Sequence, residues 1–265
     1  MRVEEFKNHP LFQVVCSFIN ACNENPLFPF EFAFEVDPSI SLEHDERTIL
    51  VMNHSGYLGF EPLFLFAMCD TMEETHNYFQ DVDFQIIVDP LFKMVLDMLF
   101  PTEMFISASD VRKILEGPEM LILFPEGVEG VCKSGFTNGY NCQEFKRGFL
   151  HLAKQQKRNI LVTTVVGHEE AFTSLGKFTF TVMDQTIDFP SPLLPPFVGM
   201  LGNKYQIKVH EKISHEEVDT SCECAATVRS KLQQYLDEES KHYIMREISR
   251  HFDNVDCFFQ MKFSM

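Results

Sequence analysis

The chain has 265 residues, 45% hydrophobic and 23% charged, with 28 Phe and no Trp, which is enough apolar material for one large domain with its own core. Its formal net charge of −17 argues against nucleic acid as a partner, since a phosphate backbone is bound by clustered Lys and Arg. The opening "MRVEEFKNHPLFQVV" has acids where a secretory leader needs positive charge, no run approaches the ~20 apolar residues of a membrane span, and eight irregularly spaced cysteines read as reduced thiols of a cytoplasmic protein.

In chain order, residues 1–45 combine a helix with the phrase "PLFPFEFAF", whose Phe alternation over 30–34 suits a half-buried strand. Phe28, Phe30, Phe32 and Phe34 are expected in the core, or else along an apolar channel or a membrane-facing surface. "RTILVMN" (47–53) reads as a buried strand, 62–79 as a helix, "FQIIVD" (84–89) as a strand and 91–99 as a helix. "EMFIS" (103–107) is a short strand, "DVRKILEG" (110–117) a helix capped by Asp110, and "EMLILFPEG" (119–127) a buried strand broken at Pro125. "KRGFLHLAKQQ" (146–156) is helical, "NILVTTVVG" (159–167) a strand, and "PLLPPFVGMLG" (192–202) a proline-broken packed loop or surface-dipping segment. "KYQIKVHEKI" (204–213) is a late strand. Residues 216–250 read as one or two helices capped by Asp219 or Ser221; the last fifteen residues match no template.

Strands alternating with helices predict an α/β fold, a largely parallel mixed sheet flanked by helices. The expected organisation is an N-terminal segment (1–45) packed on the core, an α/β domain (46–215) and a C-terminal helical segment (216–265). Ligands of open α/β sheets sit outside the carboxyl ends of the strands. Three polar loops emerge there, at 53–61, 124–135 and 167–171, and converge if their strands are parallel neighbours.

The first loop carries His54 and Glu61. Pro62 suits the first position of a helix, which puts Glu61 near the positive end of the helix dipole. Gly56 and Gly59 allow a tight return, so the imidazole and the carboxylate can meet and form a general base. A loop histidine with no chemical role is the plainer alternative. In the second loop, Glu126 ends a strand with nothing in sequence to neutralise it, as a substrate contact would, and Gly127 and Gly130 permit close approach of a ligand. Basic residues gather at Lys133, Lys146, Arg147, Lys154, Lys157 and Arg158; 147, 154 and 158 share a helical face, a solvated surface or a contact for phosphates. His168 with Glu169 and Glu170 offers a second proton relay. Cys222 and Cys224 near His215 form only a C-x-C, so no metal is implied.

"NH" closing one strand and "FPEG" closing a later one resemble the glycerophospholipid acyltransferase superfamily, which includes the 1-acylglycerol-3-phosphate acyltransferases. "EFKRGFLHLAKQQKRNILVTTVVGHEEAF" resembles that family's F-K-[KR]-G-x-[FL]-x-L-A block and valine-rich strand. "FPSPLLPPFVGMLGNKYQIKVHEKI" resembles its late apolar loop and closing strand. The resemblance spans residues 45–215. It departs in the first motif: the family's His, four residues, Asp would put the acid at Gly59, whereas here Glu61 follows two residues later. An arginine often found before FPEG has no match beyond Arg112, and Thr163 replaces a proline.

The resemblance implies an O-acyltransferase that moves a fatty acyl group from a thioester donor (acyl-CoA or acyl-carrier protein, with no further cofactor) to a lipid or lysolipid alcohol at a membrane surface. It implies His54 and Glu61 as the catalytic pair and backbone N–H groups near a helix start for the oxyanion. Phe124, Pro125, Glu126 and Gly127 are then acceptor-binding, and Lys133, Lys146 and Arg147 touch donor or phosphate groups. The alternatives are a catalytically inactive lipid-binding or scaffolding relative, and a thioester hydrolase; against the latter, no G-x-S-x-G elbow occurs.

Overall fold

The computed structural model describes residues 7–24, 30–43, 46–54, 61–71, 78–90, 93, 96–97, 104–110, 119–134, 138–182, 185–192, 204–244, 247 and 261–264. Its main sheet has seven strands: β1 (Glu31–Val36), β2 (Thr48–Met52), β3 (Phe84–Val88), β4 (Phe105–Ser107), β5 (Met120–Leu123), β6 (Asn159–Val166) and β9 (Lys204–Ile213). They lie in the order β1-β9-β6-β2-β5-β3-β4. Every neighbouring pair is parallel except β6 with β9. The sheet is therefore the largely parallel mixed one expected. β2, β5 and β6 are adjacent and parallel, so the three polar loops leave the same end of the sheet.

Strand alternation builds the two faces of the core. Leu50 and Met52 of β2 join one cluster, and Ile49 and Val51 join the other. All four are 0% exposed, as expected of a central strand covered on both faces. Over the first face lies α2 (Glu61–Thr71), whose residues from Glu61 to Cys69 are all buried. A helix apolar all round is stable only when so enclosed. Its outer side is covered by α1 (Pro10–Glu24), which turns Phe12, Val15, Ile19 and Cys22 inward at helical spacing. Phe32 stacks on Phe64 with rings parallel at 5.9 Å, and Phe34 meets Phe79 edge-on at 5.0 Å. These phenylalanines therefore belong to the core; Phe28 lies outside the described residues.

The second face is covered by α5 (Gly148–Gln156) and α7 (Cys222–Glu239). Ala225, Val228, Leu232 and Leu236 form the buried stripe of α7. Ser221 is its cap, its hydroxyl accepting from the Cys224 N–H at 3.1 Å. Short helices α3 (Tyr78–Asp81), α4 (Val128–Val131) and α6 (His168–Ala171) join the rest. The helix expected over 62–79 is described as two pieces, α2 and α3. The helix expected over 110–117, with Arg112, and most of 91–99 and 192–202 lie outside the described residues.

A second sheet was not foreseen. β7 (Ser174–Val182) and β8 (Gln185–Pro192) form an antiparallel hairpin, and β10 (Met261–Ser264) pairs with β7 in parallel. Pro190 and Pro192 argue against a strand in the sequence, because proline donates no ladder hydrogen bond. β8 accommodates them by lying at the sheet's edge.

Candidate active site

The end of β2 is locked before the site begins. The Asn53 side chain, fully buried, bridges to β6: its amide N–H donates to Val165 O at 3.0 Å, and its oxygen accepts from the Val165 N–H at 2.7 Å. A side chain that mimics a peptide group extends the β2–β6 ladder by one rung and aims the next residue, His54, out of the sheet edge.

His54 Nδ1 lies 2.9 Å from Glu61 Oε1. Glu61 is 0% exposed and the His54 side chain 14%. The helix start that buries the carboxylate thus brings it against the imidazole, the meeting anticipated from Pro62. Burial alone would raise the Glu61 carboxyl; the fields of His168 and His54, with the His54 hydrogen bond, outweigh it and hold it at about 2. The acid is an anion at neutral pH. An imidazole held at Nδ1 by an anion has Nε2 left to take a proton. Its ring stacks on Phe124, with centres 4.2 Å apart and planes at 20°.

Glu126 is turned inward. It is completely buried. One oxygen accepts from the His54 backbone N–H at 2.9 Å and the other from the Gln143 N–H at 2.7 Å. The expectation that it stands unneutralised is corrected. The neutralising charge is Lys133, its side chain 1% exposed, with Nζ 3.9 Å from Glu126 and 3.4 Å from Glu169. Burial would lower the Lys133 amine, but the two carboxylates raise it, so it stays charged. That corrects the reading of Lys133 as a phosphate contact: it is sealed beneath the loop it was expected to decorate. The two glycines here also answer to the backbone and to the site's own residues. Gly127 has φ 63, a value that favours glycine. A Cβ on Gly130 would lie 2.7 Å from Glu126 Cβ and 2.8 Å from His54 Cβ; its bareness makes room for the site's own residues.

The loop at 138–146 joins through Tyr140, whose hydroxyl donates to the Glu170 carboxylate and accepts from the Gly167 N–H at 2.9 Å. Glu169 and Glu170 therefore face Lys133 and Tyr140. His168 pairs with Tyr205 instead, Nδ1 to hydroxyl at 2.7 Å, so the expected relay within 168–170 does not form. Arg158 is corrected as well. It lies past the end of α5, fully buried, and donates to Glu119 O at 2.8 Å at the opposite end of the sheet. It shares no surface with 147 and 154.

A cleft of about 460 Å³ opens beside His54. Its walls include Ile86, Val88, Phe105, Leu123, Val131 and Phe149. Phe124, Pro125 and Gly127 line it too, with Lys146 and His151 among its polar residues. Lys146 is held by its own N–H to Pro125 O at 2.9 Å and by an exposed ion pair with Glu129 at 3.2 Å. Arg147 precedes α5 and is exposed. The signals for Asn53 and Lys133 lay in the sequence as an asparagine ending a buried strand and a lysine among cysteines and glycines, but their partners are more than 100 and up to 36 residues distant.

No family model matches the chain. It is similar to uncharacterized proteins of Mycobacterium tuberculosis and Mycobacterium bovis, 27% identical over 229 residues, covering 80% of this chain and 60% of theirs. An uncharacterized protein of Mycobacterium leprae is 30% identical over 196 residues, 69% of this chain and 51% of its own. The chain thus spans between 51% and 60% of the length of the curated relatives it matches. Among solved structures it resembles the 1-acyl-sn-glycerophosphate acyltransferase PlsC from Thermotoga maritima, with a TM-score of 0.51 and 15% identity over 88% of this chain and 82% of that one. At that identity the likeness is one of architecture: this is an α/β chain with an acyltransferase-like fold.

Proposed function

We propose that the protein is an O-acyltransferase moving a fatty acyl group from a thioester donor, acyl-CoA or acyl-carrier protein, to the hydroxyl of a glycerolipid, lysophospholipid or similar lipid alcohol. The observation that carries this reading is a histidine held at Nδ1 by a buried carboxylate beside an apolar cleft. His54 Nε2 takes the proton of the acceptor hydroxyl. The oxygen attacks the thioester carbonyl, a C–O bond forms and the C–S bond breaks. The thiolate leaves with the proton that His54 then returns. Glu61 orients the ring and offsets the charge of the imidazolium. Glu126 contributes by fixing the His54 backbone.

The apolar cleft suits the acyl chain, and the exposed Lys146 and Arg147 are the cations we assign to the donor's phosphates. Among the described residues no helix is long and apolar enough to cross a membrane; a lipid acceptor would then be met at a membrane surface. The test is thiol release from a panel of acyl-CoAs, with and without lysophospholipid and monoacylglycerol acceptors, for wild type and His54→Ala. Acceptor-dependent release abolished in the variant supports transfer. Acceptor-independent release favours the hydrolase, and lipid binding without release in wild type favours the scaffold.

A further inference from the structure

The His54–Glu61 pair has a neighbour that acyl transfer leaves unused. His168 opens α6 and is 0% exposed. Its ring packs on Phe172 at 4.5 Å and meets Phe64 edge-on at 6.4 Å; Phe64 stands one turn beyond Glu61 on α2. Nδ1 is taken by the Tyr205 hydroxyl. Nε2 is buried and has no hydrogen-bond partner among the described residues. The charged and titratable groups whose fields act on the pair are Glu61 from α2, His54 from the end of β2 and Tyr205 from β9. On its own turn, Glu169 and Glu170 are engaged by Lys133 and Tyr140.

The protons can be placed. Burial and the charge of Glu61 raise the Tyr205 phenol well above its usual range, so it stays protonated. Burial pushes the His168 imidazole down to about 4, so at neutral pH the ring has a single N–H. If that hydrogen sat on Nδ1, the phenol would lose its acceptor and a lone pair on Nε2 would stand in the field of the Glu61 anion. With Tyr205 donating to Nδ1, the phenol is satisfied and Nε2–H presents a positive edge to that field.

We propose that Tyr205 and His168 form a second arm of the candidate active site, with Tyr205 O–H donating to His168 Nδ1 and His168 Nε2–H held for the Glu61 carboxylate. Glu61 is then hydrogen-bonded to one imidazole and stands in the field of a second. His168 touches no substrate in this scheme. It is a positioning residue that keeps Glu61 ionised and aimed while His54 gains and returns its proton. The kinetic part rests on the acyl-transfer reading; the placement of protons does not.

The experiment is ¹⁵N NMR of the histidine rings in the intact protein at neutral pH, with the His168 signals assigned by their loss in His168→Phe. The expected result is a protonated Nε2 and an accepting Nδ1, with the preference weakened in Tyr205→Phe. A protonated Nδ1 in wild type overturns the arm. In thiol-release kinetics, His168→Phe is expected to lower kcat several-fold with KM unchanged, because the Glu61 anion loses the partial positive charge of Nε2–H from its surroundings. His168→Gln, whose amide N–H can replace Nε2–H, recovers part of the loss. A folded His168→Phe with wild-type kcat also overturns it. Should wild type transfer no acyl group, the proposed function falls, and the ring tautomer alone upholds or overturns the arm.

Discussion

Glu61→Gln isolates the charge of the buried acid. The substitution keeps the side chain's shape and an oxygen or nitrogen opposite His54 Nδ1, now 2.9 Å from the carboxylate, but removes the anion that answers the imidazolium formed during proton transfer. Two unit charges ~4 Å apart at an effective dielectric of ~20 attract by about 4 kcal/mol. An amide hydrogen bond returns about 1 kcal/mol of this. The net loss of about 3 kcal/mol falls on the transition state, where the imidazolium exists, and corresponds to a kcat reduced by roughly two orders of magnitude. KM should hold, because Glu61 is 0% exposed and lies behind the ring rather than against the substrate. The assay is acceptor-dependent thiol release at saturating acyl-CoA, with near-UV circular dichroism to verify packing. A well-folded variant within about threefold of wild-type kcat would refute the idea that the carboxylate's charge supports the base.

Lys133→Met removes the cation that lies between Glu126 and Glu169 and leaves the two buried carboxylates without its charge. Breaking a buried pair costs about 3–5 kcal/mol, read as a lowered urea midpoint, and the donor KM should not respond specifically; a rise in donor KM without destabilisation would restore the phosphate-contact reading. Gly148→Leu adds a side chain where a Cβ would meet nothing within 4 Å, at the first position of α5 and on the lining of the cleft. Each methylene it excludes costs about 0.8 kcal/mol, so kcat/KM should fall about fourfold per carbon for the longest donors and stay level for short ones; an unchanged chain-length profile would remove the acyl chain from this cleft. Because the folded-state value of His168 is lowered from 6.5 to about 4, the unfolded chain takes up a proton that the folded one refuses. Stability should therefore decline as pH falls from about 6.5 toward 4, by on the order of 3 kcal/mol at most from this group. Urea midpoints across that range should show a slope that His168→Phe flattens.

The central strands could be read from the sequence because their apolar runs are bounded by turn residues, and β9 matches its expected span of 204–213. His54 and Glu61 were legible for a local reason: a proline-led helix start fixes where the acid must stand, and the strand end fixes the histidine. The charge state of Glu126 was misread because its partners reach it through loop closure, Lys133 seven and the Gln143 N–H seventeen residues further along the chain. No periodicity encodes such contacts. Arg158 misled in the opposite way. Helical spacing put it on a solvated face, but Lys157 takes a left-handed conformation at φ 51, ends α5 and turns the next side chain to the amino ends of β2 and β5. The hairpin β7–β8 was hidden by prolines that only an edge strand tolerates.

The seating of β1 has a consequence for biogenesis. Residue 31 finds its ladder partner at residue 204, on β9. During synthesis the three strands that carry the proposed chemistry can assemble once residue 166 has emerged, while the N-terminal ribbon, with Phe32 and Phe34, still waits for the strand that will receive it. Long-range pairings of this kind close slowly, and their unpaired edges invite association in the interval. A nascent chain halted before β9 would therefore hold an almost assembled centre beside an unsheltered greasy flank, a natural point of capture for a chaperone.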